Sequence, residues 1–138
     1  SERGYVSLVR NNGNEGCHII LRGGKSGTNY SASDIKEIKE KIEAKGESCC
    51  IIVDASHGNS LKDHNKQALV VDEVLSQMKA GEKDIKGLMI ESNLHEGNQS
   101  IKNYQELSYG VSVTDACISW ETTLELLQKI NDTMEHIS

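Results

Sequence analysis

The chain has 138 residues, which fits a single domain with a modest core. With 21 acidic and 15 basic residues its net charge is −6, which argues against a surface that binds nucleic acid or an anionic membrane. The sequence contains neither an apolar run of membrane-spanning length nor a secretory signal. We therefore expect a cytoplasmic protein whose four cysteines, none in a CxxC pair, are reduced.

The N-terminal part of the sequence predicts a short strand at residues 5–9 and a second strand at residues 17–21. Arg22 ends the second strand, and a Gly-rich loop follows at residues 23–28. Such loops expose backbone N–H groups to anions. The GKS triplet in the loop does not complete a nucleotide P-loop, because position 19 is Ile where that motif requires Gly. Two interpretations stay open: a site for a phosphate or carboxylate group, or a surface loop whose glycines permit a tight turn.

Three amphipathic helices are predicted from apolar residues spaced by three or four positions. The first begins at a capping box formed by Ser31 and Asp34, and the second is capped by Ser60 and Asp63. The third covers residues 121–137. Their expected buried faces are Ile35, Ile38 and Ile42 in the first helix, Ala68, Val71, Leu75 and Met78 in the second, and Leu127, Ile130, Met134 and Ile137 in the third.

Strands predicted at residues 50–54 and 87–90 alternate with these helices, an order that implies parallel pairing and right-handed crossovers. The predicted fold class is therefore α/β. The strands are too few to close an eight-stranded barrel. We expect a sheet edge and an apolar sheet face to be left open.

Polar side chains follow the predicted strands where function commonly sits in β/α architectures. His57 comes after the central strand, Glu91 closes the next strand, and Asp115 lies in a third polar terminus at residues 111–116. One imidazole and two carboxylates suit Mn²⁺, Fe²⁺, Co²⁺ or Zn²⁺, and an ion there would polarise a carbonyl oxygen. The alternative is a hydrogen-bonded structural histidine beside carboxylates that cap the following helices. Arg22 has two interpretations as well, a bidentate phosphate ligand or an ordinary salt bridge.

Four stretches of the sequence resemble a single family. They are CHIILRGGKSGTNYSA at residues 17–32, VDASHGNS at 53–60, GLMIESNLHEGNQS at 87–100 and YGVSVTDACISWETT at 109–123. Together they are similar to 3-deoxy-D-arabino-heptulosonate 7-phosphate (DAHP) synthase of microbial type I, in its fungal and enterobacterial form. The motifs come in the order of that family and cover nearly the whole chain.

The resemblance implies a (β/α)8 TIM barrel, of which residues 1–138 would be the C-terminal part with the last three strand–helix units. It implies the metal-dependent condensation of phosphoenolpyruvate with erythrose 4-phosphate, which yields DAHP and phosphate and opens the shikimate pathway. In the family pattern His57, Glu91 and Asp115 are metal ligands, with His57 at the catalytic centre, and Arg22 binds the phosphate of phosphoenolpyruvate.

The resemblance also implies a feedback site for an aromatic amino acid. The family forms this site with a β-hairpin that precedes the CHIILRGG strand. Val9 falls in the second arm of that hairpin, so residues 1–14 are expected to be a remnant of the regulatory element.

The early barrel strand with the metal-binding Cys of the family, its Arg and Lys cluster and its N-terminal extension are not matched here. Neither Cys17 nor Cys117 lies in the motif of that Cys. We therefore expect little or no synthase activity from these 138 residues alone, and completion of the site by the N-terminal part or by homo-oligomerisation. Two alternatives remain: a non-catalytic fragment or diverged homologue that binds a partner or itself, and a generic metal-dependent lyase or hydrolase.

Overall fold

The computed structural model of the chain describes Gly4, Val6, residues 8–14 and residues 16–137. Three parallel strands form one sheet in the order β1, β2, β3, with β2 in the middle. The strands are β1 Ile19–Leu21, β2 Ile51–Asp54 and β3 Ile85–Met89. The helices are α1 Ala32–Glu43, α2 Gln67–Lys79 and α3 Trp120–Ile137, with short 3₁₀ turns at His64–Lys66 and Tyr104–Glu106.

The observed order of strands and helices confirms the predicted α/β class and the parallel pairing. The strand expected at residues 5–9 is not present at Val6, Leu8 or Val9, and Tyr5 and Ser7 lie outside the described residues. Residues 111–116, the third polar terminus of the sequence, lie in a loop that follows no regular strand. No helix in the described part of the chain combines the length and apolarity required to cross a bilayer.

The strand register brings the carboxyl ends of all three strands to one edge of the sheet. Leu21 of β1 is the partner of Val53 in β2, and Asp54 of β2 is the partner of Met89 in β3. The residues that follow each strand therefore emerge side by side. This edge carries the candidate site.

The core lies between the sheet and the helices. It contains Leu21, Ile35, Ile51, Val53, Ala55, Val70, Val71, Val74, Leu75, Ile85, Ile118 and Leu126, all at most 5% exposed. Side chains alternate along a strand, so Ile20 and its β2 partner Ile52 point away from this core, and Ile20 is 48% exposed. The opposite face of the sheet is thus apolar and open at Ile20, as expected from three parallel strands.

The start of α1 follows the sequence prediction and the start of α2 does not. Ser31 Oγ accepts from the backbone N–H of Asp34, and Asp34 Oδ2 accepts from the backbone N–H of Ser31, which completes the capping box. Asp63 caps the 3₁₀ turn before α2, and α2 begins at Gln67. Ser60 does not cap a helix, because its hydroxyl donates to the carbonyl of His57.

The predicted buried face of α3 is wrong. Leu127, Met134 and Ile137 are exposed, and the buried positions are Thr123, Leu126 and Thr133 with Ile130 half-buried. The stripe that the structure buries contains two threonines and shares Ile130 with the more apolar stripe that was predicted, and periodicity does not tell which of the two meets a neighbour. The position of α2 decides this, and an ion pair between Lys129 and Asp72 joins the two helices.

Candidate metal centre

Three side chains meet at the carboxyl edge of the sheet. His57, Glu91 and Asp115 each offer one ligand atom, and these atoms lie within 4.8 Å of one another. His57 Nε2 is 3.6 Å from Glu91 Oε1 and 3.6 Å from Asp115 Oδ2. Two ligand atoms bound at roughly 2.1 Å to a tetrahedral ion would be roughly 3.4 Å apart. The spacing and the donor set therefore fit a divalent ion.

The imidazole of His57 is oriented by a buried carboxylate. Asp54 is 0% exposed, and its Oδ2 accepts a hydrogen bond from His57 Nδ1 at 2.7 Å. Its Oδ1 accepts from the backbone N–H of Ser56 at 2.8 Å. With the proton on Nδ1, the Nε2 lone pair faces Glu91 and Asp115. A metal-binding histidine requires this tautomer and this kind of carboxylate partner.

Two contacts position Glu91. Ser56 Oγ donates to Glu91 Oε2 at 2.7 Å, which leaves Oε1 on the side of His57. Gln67, 0% exposed at the start of α2, clamps the backbone of Glu91: its Nε2 donates to the carbonyl at 3.0 Å and its Oε1 accepts from the N–H at 2.9 Å. Gln67 was not singled out from the sequence. The sequence feature that could have pointed to it is a glutamine at the first position of a helix that is otherwise largely apolar.

Asp115 reaches the site on a loop rather than on a regular strand. Residues 92–99 and 111–118 bridge at three points, which include Gly97 with Cys117 and Asn98 with Ser112. Gly97 and Cys117 exchange two backbone hydrogen bonds, at 2.8 and 3.1 Å. Asp115 is the most open of the three, since its side chain is 62% exposed against 21% for His57 and 25% for Glu91.

Arg22 lies beside this cluster at the end of β1. Its Nε is 3.9 Å from Asp54 Oδ2, and its side chain is 60% exposed. The two loops that carry Arg22 and His57 cross at a glycine: a Cβ added to Gly23 would lie 2.5 Å from the carbonyl carbon of Gly58. No side chain fits at Gly23, so this close approach depends on its being glycine.

Asn59 ties the ends of the strands together. It is 2% exposed, and its Nδ2 donates to the carbonyls of Leu21 and Asp54 at 2.9 Å each. Its backbone N–H donates to the carbonyl of Arg22, and its Oδ1 accepts from the N–H of Asn29. One buried amide therefore satisfies polar groups from β1, from β2 and from Asn29, the residue after the Gly-rich loop.

The Gly-rich loop uses several of its own N–H groups internally. Gly24 and Gly27 exchange two backbone hydrogen bonds, and Gly23 N–H donates to Asn29 Oδ1 at 2.7 Å. These groups are not free to bind an anion. The cationic side chains of Arg22 and Lys25 are therefore the better candidates for anion contact.

A cavity of about 370 Å³ joins the cationic and acidic parts of the site. Its lining comprises Arg22, Gly23, Gly24, Lys25, Ser56, His57, Gly58, Lys62, Asp115 and Ala116. A larger surface hollow, about 830 Å³, runs along α3 and contains none of these residues. The smaller cavity is the candidate binding site, because it contains His57, Asp115 and Arg22.

Val9 lies apart from regular secondary structure and is 80% exposed. Of the proposed hairpin remnant at residues 1–14, Ser1, Glu2, Arg3, Tyr5 and Ser7 lie outside the described residues. The regulatory role of Val9 stays a prediction.

Comparison with known proteins gives one consistent result. Residues 2–128 match the model of the DAHP synthetase I family. The Tyr-sensitive phospho-2-dehydro-3-deoxyheptonate aldolase of Escherichia coli K12 is 49% identical over 132 residues, which cover 95% of this chain and 37% of that protein. The tyrosine-inhibited aldolase of Candida albicans is 44% identical over 140 residues, covering 98% of this chain and 38% of that protein.

A solved structure shares the fold as well. The phospho-2-dehydro-3-deoxyheptonate aldolase of Francisella tularensis SCHU S4 superposes with a TM-score of 0.88 at 38% identity, covering 100% of this chain and 40% of that one. The chain therefore spans less than half the length of the relatives it matches.

Proposed function

The chain belongs to the DAHP synthetase I family, and we propose that it forms the C-terminal part of a DAHP synthase. In this proposal the three strand–helix units of residues 1–138 are the last three of a (β/α)8 barrel. The complete enzyme condenses phosphoenolpyruvate with erythrose 4-phosphate to DAHP and phosphate, the first step of aromatic amino acid biosynthesis. The convergence of His57, Glu91 and Asp115 beside Arg22 is the observation that carries the proposal.

His57, Glu91 and Asp115 would hold a divalent ion, Mn²⁺, Fe²⁺, Co²⁺ or Zn²⁺. When bound, such an ion supplies a Lewis acid for the aldehyde oxygen of erythrose 4-phosphate. The contact between Asp54 and His57 supports this role, because it holds the Nδ1 proton of the neutral ring and orients Nε2 towards the two carboxylates. Ser56 and Gln67 keep Glu91 in place. His57 is the catalytic residue of this segment.

Arg22 would bind phosphoenolpyruvate through its phosphate. Its Nε faces Asp54, and most of the side chain is exposed to the cavity and solvent, which leaves terminal N–H groups for a bidentate contact. The position of Arg22 beside His57 would place the enol carbon of phosphoenolpyruvate near the aldehyde. That proximity is the main contribution a binding residue makes to a condensation.

Completion of the barrel accounts for the open sheet face. Ile20 and Ile52 would point into the barrel interior, where apolar side chains pack. The N-terminal part of the enzyme, or a second copy of the chain in a homo-oligomer, would cover them. Residues 1–14 with Val9 would belong to a regulatory hairpin for an aromatic amino acid, in keeping with the Tyr-sensitive and Phe-sensitive names of the relatives. We place the enzyme in the cytoplasm.

The test is phosphate release from phosphoenolpyruvate and erythrose 4-phosphate in the presence of Mn²⁺. The 138-residue chain alone should release little. Addition of the N-terminal segment of the Escherichia coli relative should restore release that requires the metal and both substrates. His57→Ala should lower that rate by about 100-fold or more, and His136→Ala, at the far end of α3, should not change it.

Two results would count against the proposal. Release by the unsupplemented chain would show that the segment completes its own site. A stable complex with the N-terminal segment that stays inactive with Mn²⁺, Fe²⁺, Co²⁺ and Zn²⁺ would remove the synthase assignment.

A second candidate function is a self-associating or partner-binding module without catalysis. The exposed apolar side chains Ile19 and Ile20 at the edge and face of the sheet favour it. Analytical ultracentrifugation distinguishes the two. Self-association lost in Ile20→Lys, together with failure of the N-terminal segment to bind, would support the module.

A further inference from the structure

Three cations line the cavity beside the candidate metal centre: Arg22, Lys25 and Lys62. Lys62 was not among the residues singled out from the sequence. Among the described residues, no carboxylate lies within salt-bridge distance of its ammonium group. Lys66, in the 3₁₀ turn that follows this loop, is instead paired with Asp63 at 4.0 Å. The cavity therefore contains a positive charge for which the described part of the chain supplies no counter-ion.

The backbone holds Lys62 in an unusual conformation. His57, Leu61 and Lys62 have φ values of 49°, 55° and 62°, and they are the only non-glycine residues with positive φ in the described part of the chain. L-residues adopt this left-handed region at a cost, and such residues cluster at functional sites. All three lie in the single loop that follows β2.

Hydrogen bonds tie this turn to the candidate metal ligand. The carbonyl of His57 accepts from the N–H of Lys62 at 2.9 Å and from Ser60 Oγ at 3.2 Å. The N–H of Leu61 donates to the carbonyl of Gly58 at 3.1 Å. Burial does not explain the turn, because Leu61 is 60% exposed. The turn places Lys62 on the cavity wall, with its backbone hydrogen-bonded to His57.

We propose that Lys62 is a second phosphate-binding residue, which acts with Arg22 to hold a phosphate monoester in this cavity. The inference rests on the proposed function, because it assigns a further residue to the phosphoenolpyruvate site of that enzyme. A phosphate monoester carries a charge of about −1.5 to −2 near pH 7. One guanidinium does not neutralise it, and the carboxylate of Asp115 in the same cavity repels it. Lys25 and Lys62 are the further cations of this cavity, and Lys62 is the one that the left-handed turn fixes relative to His57.

The test is anion binding to the 138-residue chain, measured by isothermal titration calorimetry without metal at low ionic strength. The probes are phosphoenolpyruvate, inorganic phosphate and pyruvate, which separate phosphate from carboxylate recognition. Lys62→Gln should weaken the binding of phosphoenolpyruvate and of inorganic phosphate by about tenfold. Lys62→Arg should retain most of the affinity. Lys66→Gln, which removes a paired lysine from the adjacent 3₁₀ turn, should bind as the unsubstituted chain does.

The outcomes separate this inference from the proposed function. Unchanged phosphate affinity in Lys62→Gln, with affinity lost in Arg22→Gln, would overturn the role of Lys62 and leave the synthase proposal standing. Absence of any phosphate binding by the unsubstituted chain would also overturn it. Mn²⁺ binding, followed by electron paramagnetic resonance, should be the same in Lys62→Gln and the unsubstituted chain; a parallel loss of Mn²⁺ would show that the substitution disturbs the loop, and would overturn a direct phosphate contact.

Discussion

His57 Nδ1 donates a hydrogen bond to the buried carboxylate of Asp54 at 2.7 Å. Asp54 also lies 3.9 Å from Arg22 Nε, so one buried carboxylate is shared by the candidate metal ligand and the candidate phosphate ligand. It has no exposed surface and does not itself line the cavity, but it contacts His57 and Arg22, which do. Its effect on the site is to fix the orientation of the two side chains beside it.

Replacement of Asp54 should therefore impair metal binding without removing a ligand. Asp54→Asn presents an amide to His57 Nδ1, which favours the tautomer with the proton on Nε2 and blocks the atom that faces Glu91 and Asp115. We expect Mn²⁺ affinity to fall by about 10- to 100-fold. Electron paramagnetic resonance titration measures it, with Asp72→Asn on the exterior of α2 as control. Equal Mn²⁺ affinity in Asp54→Asn and the control would show that Asp54 does not orient His57.

Gln67 and Gln77 provide a matched pair on α2. Both are buried; Gln67 clamps the backbone of Glu91, whereas Gln77 donates to the carbonyl of Tyr30, away from the site. Each change to Ala leaves buried polar groups without partners and should lower the free energy of unfolding by about 1–3 kcal/mol. Mn²⁺ affinity should fall in Gln67→Ala alone. Similar metal affinities in the two variants at equal stability would argue against the clamp.

The close approach of Gly23 to the backbone of Gly58 should make Gly23 intolerant of any side chain. Gly23 has φ 72° and a Cβ there would meet backbone atoms of Gly58, whereas Gly46 has φ 77° and open space around it. Gly46→Ala should lower the free energy of unfolding by about 1 kcal/mol, which is the cost of an alanine in the left-handed region. Gly23→Ala adds a clash with the backbone of Gly58 and should lower the free energy of unfolding by about 3 kcal/mol or more. Urea unfolding of the two variants tests it; equal losses would show that the loops can separate at no cost.

Lys39 of α1 forms an ion-pair network outside the site. Its Nζ is 2.6 Å from Asp84 Oδ2 and 3.0 Å from Glu82 Oε2. Hydrogen bonds to Asp84 and then Glu82 raise the pKa of Lys39 above its ordinary value. Lys39→Met should lower the free energy of unfolding by about 1 kcal/mol at pH 7, and Lys36→Met, an exposed lysine of the same helix, should have little effect.

The raised pKa sets the direction of the pH dependence. A lysine whose pKa is higher in the folded state contributes stability that is fully present below its unfolded pKa of about 10.4 and is lost as the pH rises through the folded value. The difference between Lys39→Met and the unsubstituted chain should therefore be constant from neutral pH to about pH 10 and shrink above it. A difference that grows with pH would contradict the network. Unfolding by urea at each pH provides the measurement.

Local chemistry explains which parts of the structure could be predicted. The capping box of Ser31 and Asp34 needs no distant partner, and β2 and β3 were predicted from short continuous apolar runs bounded by polar residues. His57, Glu91 and Asp115 were identified as polar residues in loops or at strand ends, and their role as metal ligands remains a prediction. The prediction for the buried face of α3 was wrong, because packing against α2 buries a stripe with two threonines rather than the more apolar stripe.

The amino-acid sequence by itself determined the order of strands and helices, the family of the chain and the residues that end its strands, because each is encoded in short contiguous stretches. Tertiary structure alone decided the rest. It placed Asp54 against His57, Gln67 around the backbone of Glu91, and Lys62 on the cavity wall with Arg22. These relationships join residues by strand register and by a left-handed turn. The contact of Asp54 with His57 depends on the turn after β2, Gln67 bonds to Glu91 from 24 residues away, and Lys62 shares a cavity with Arg22 only in the folded chain, so no period in the sequence indicates them.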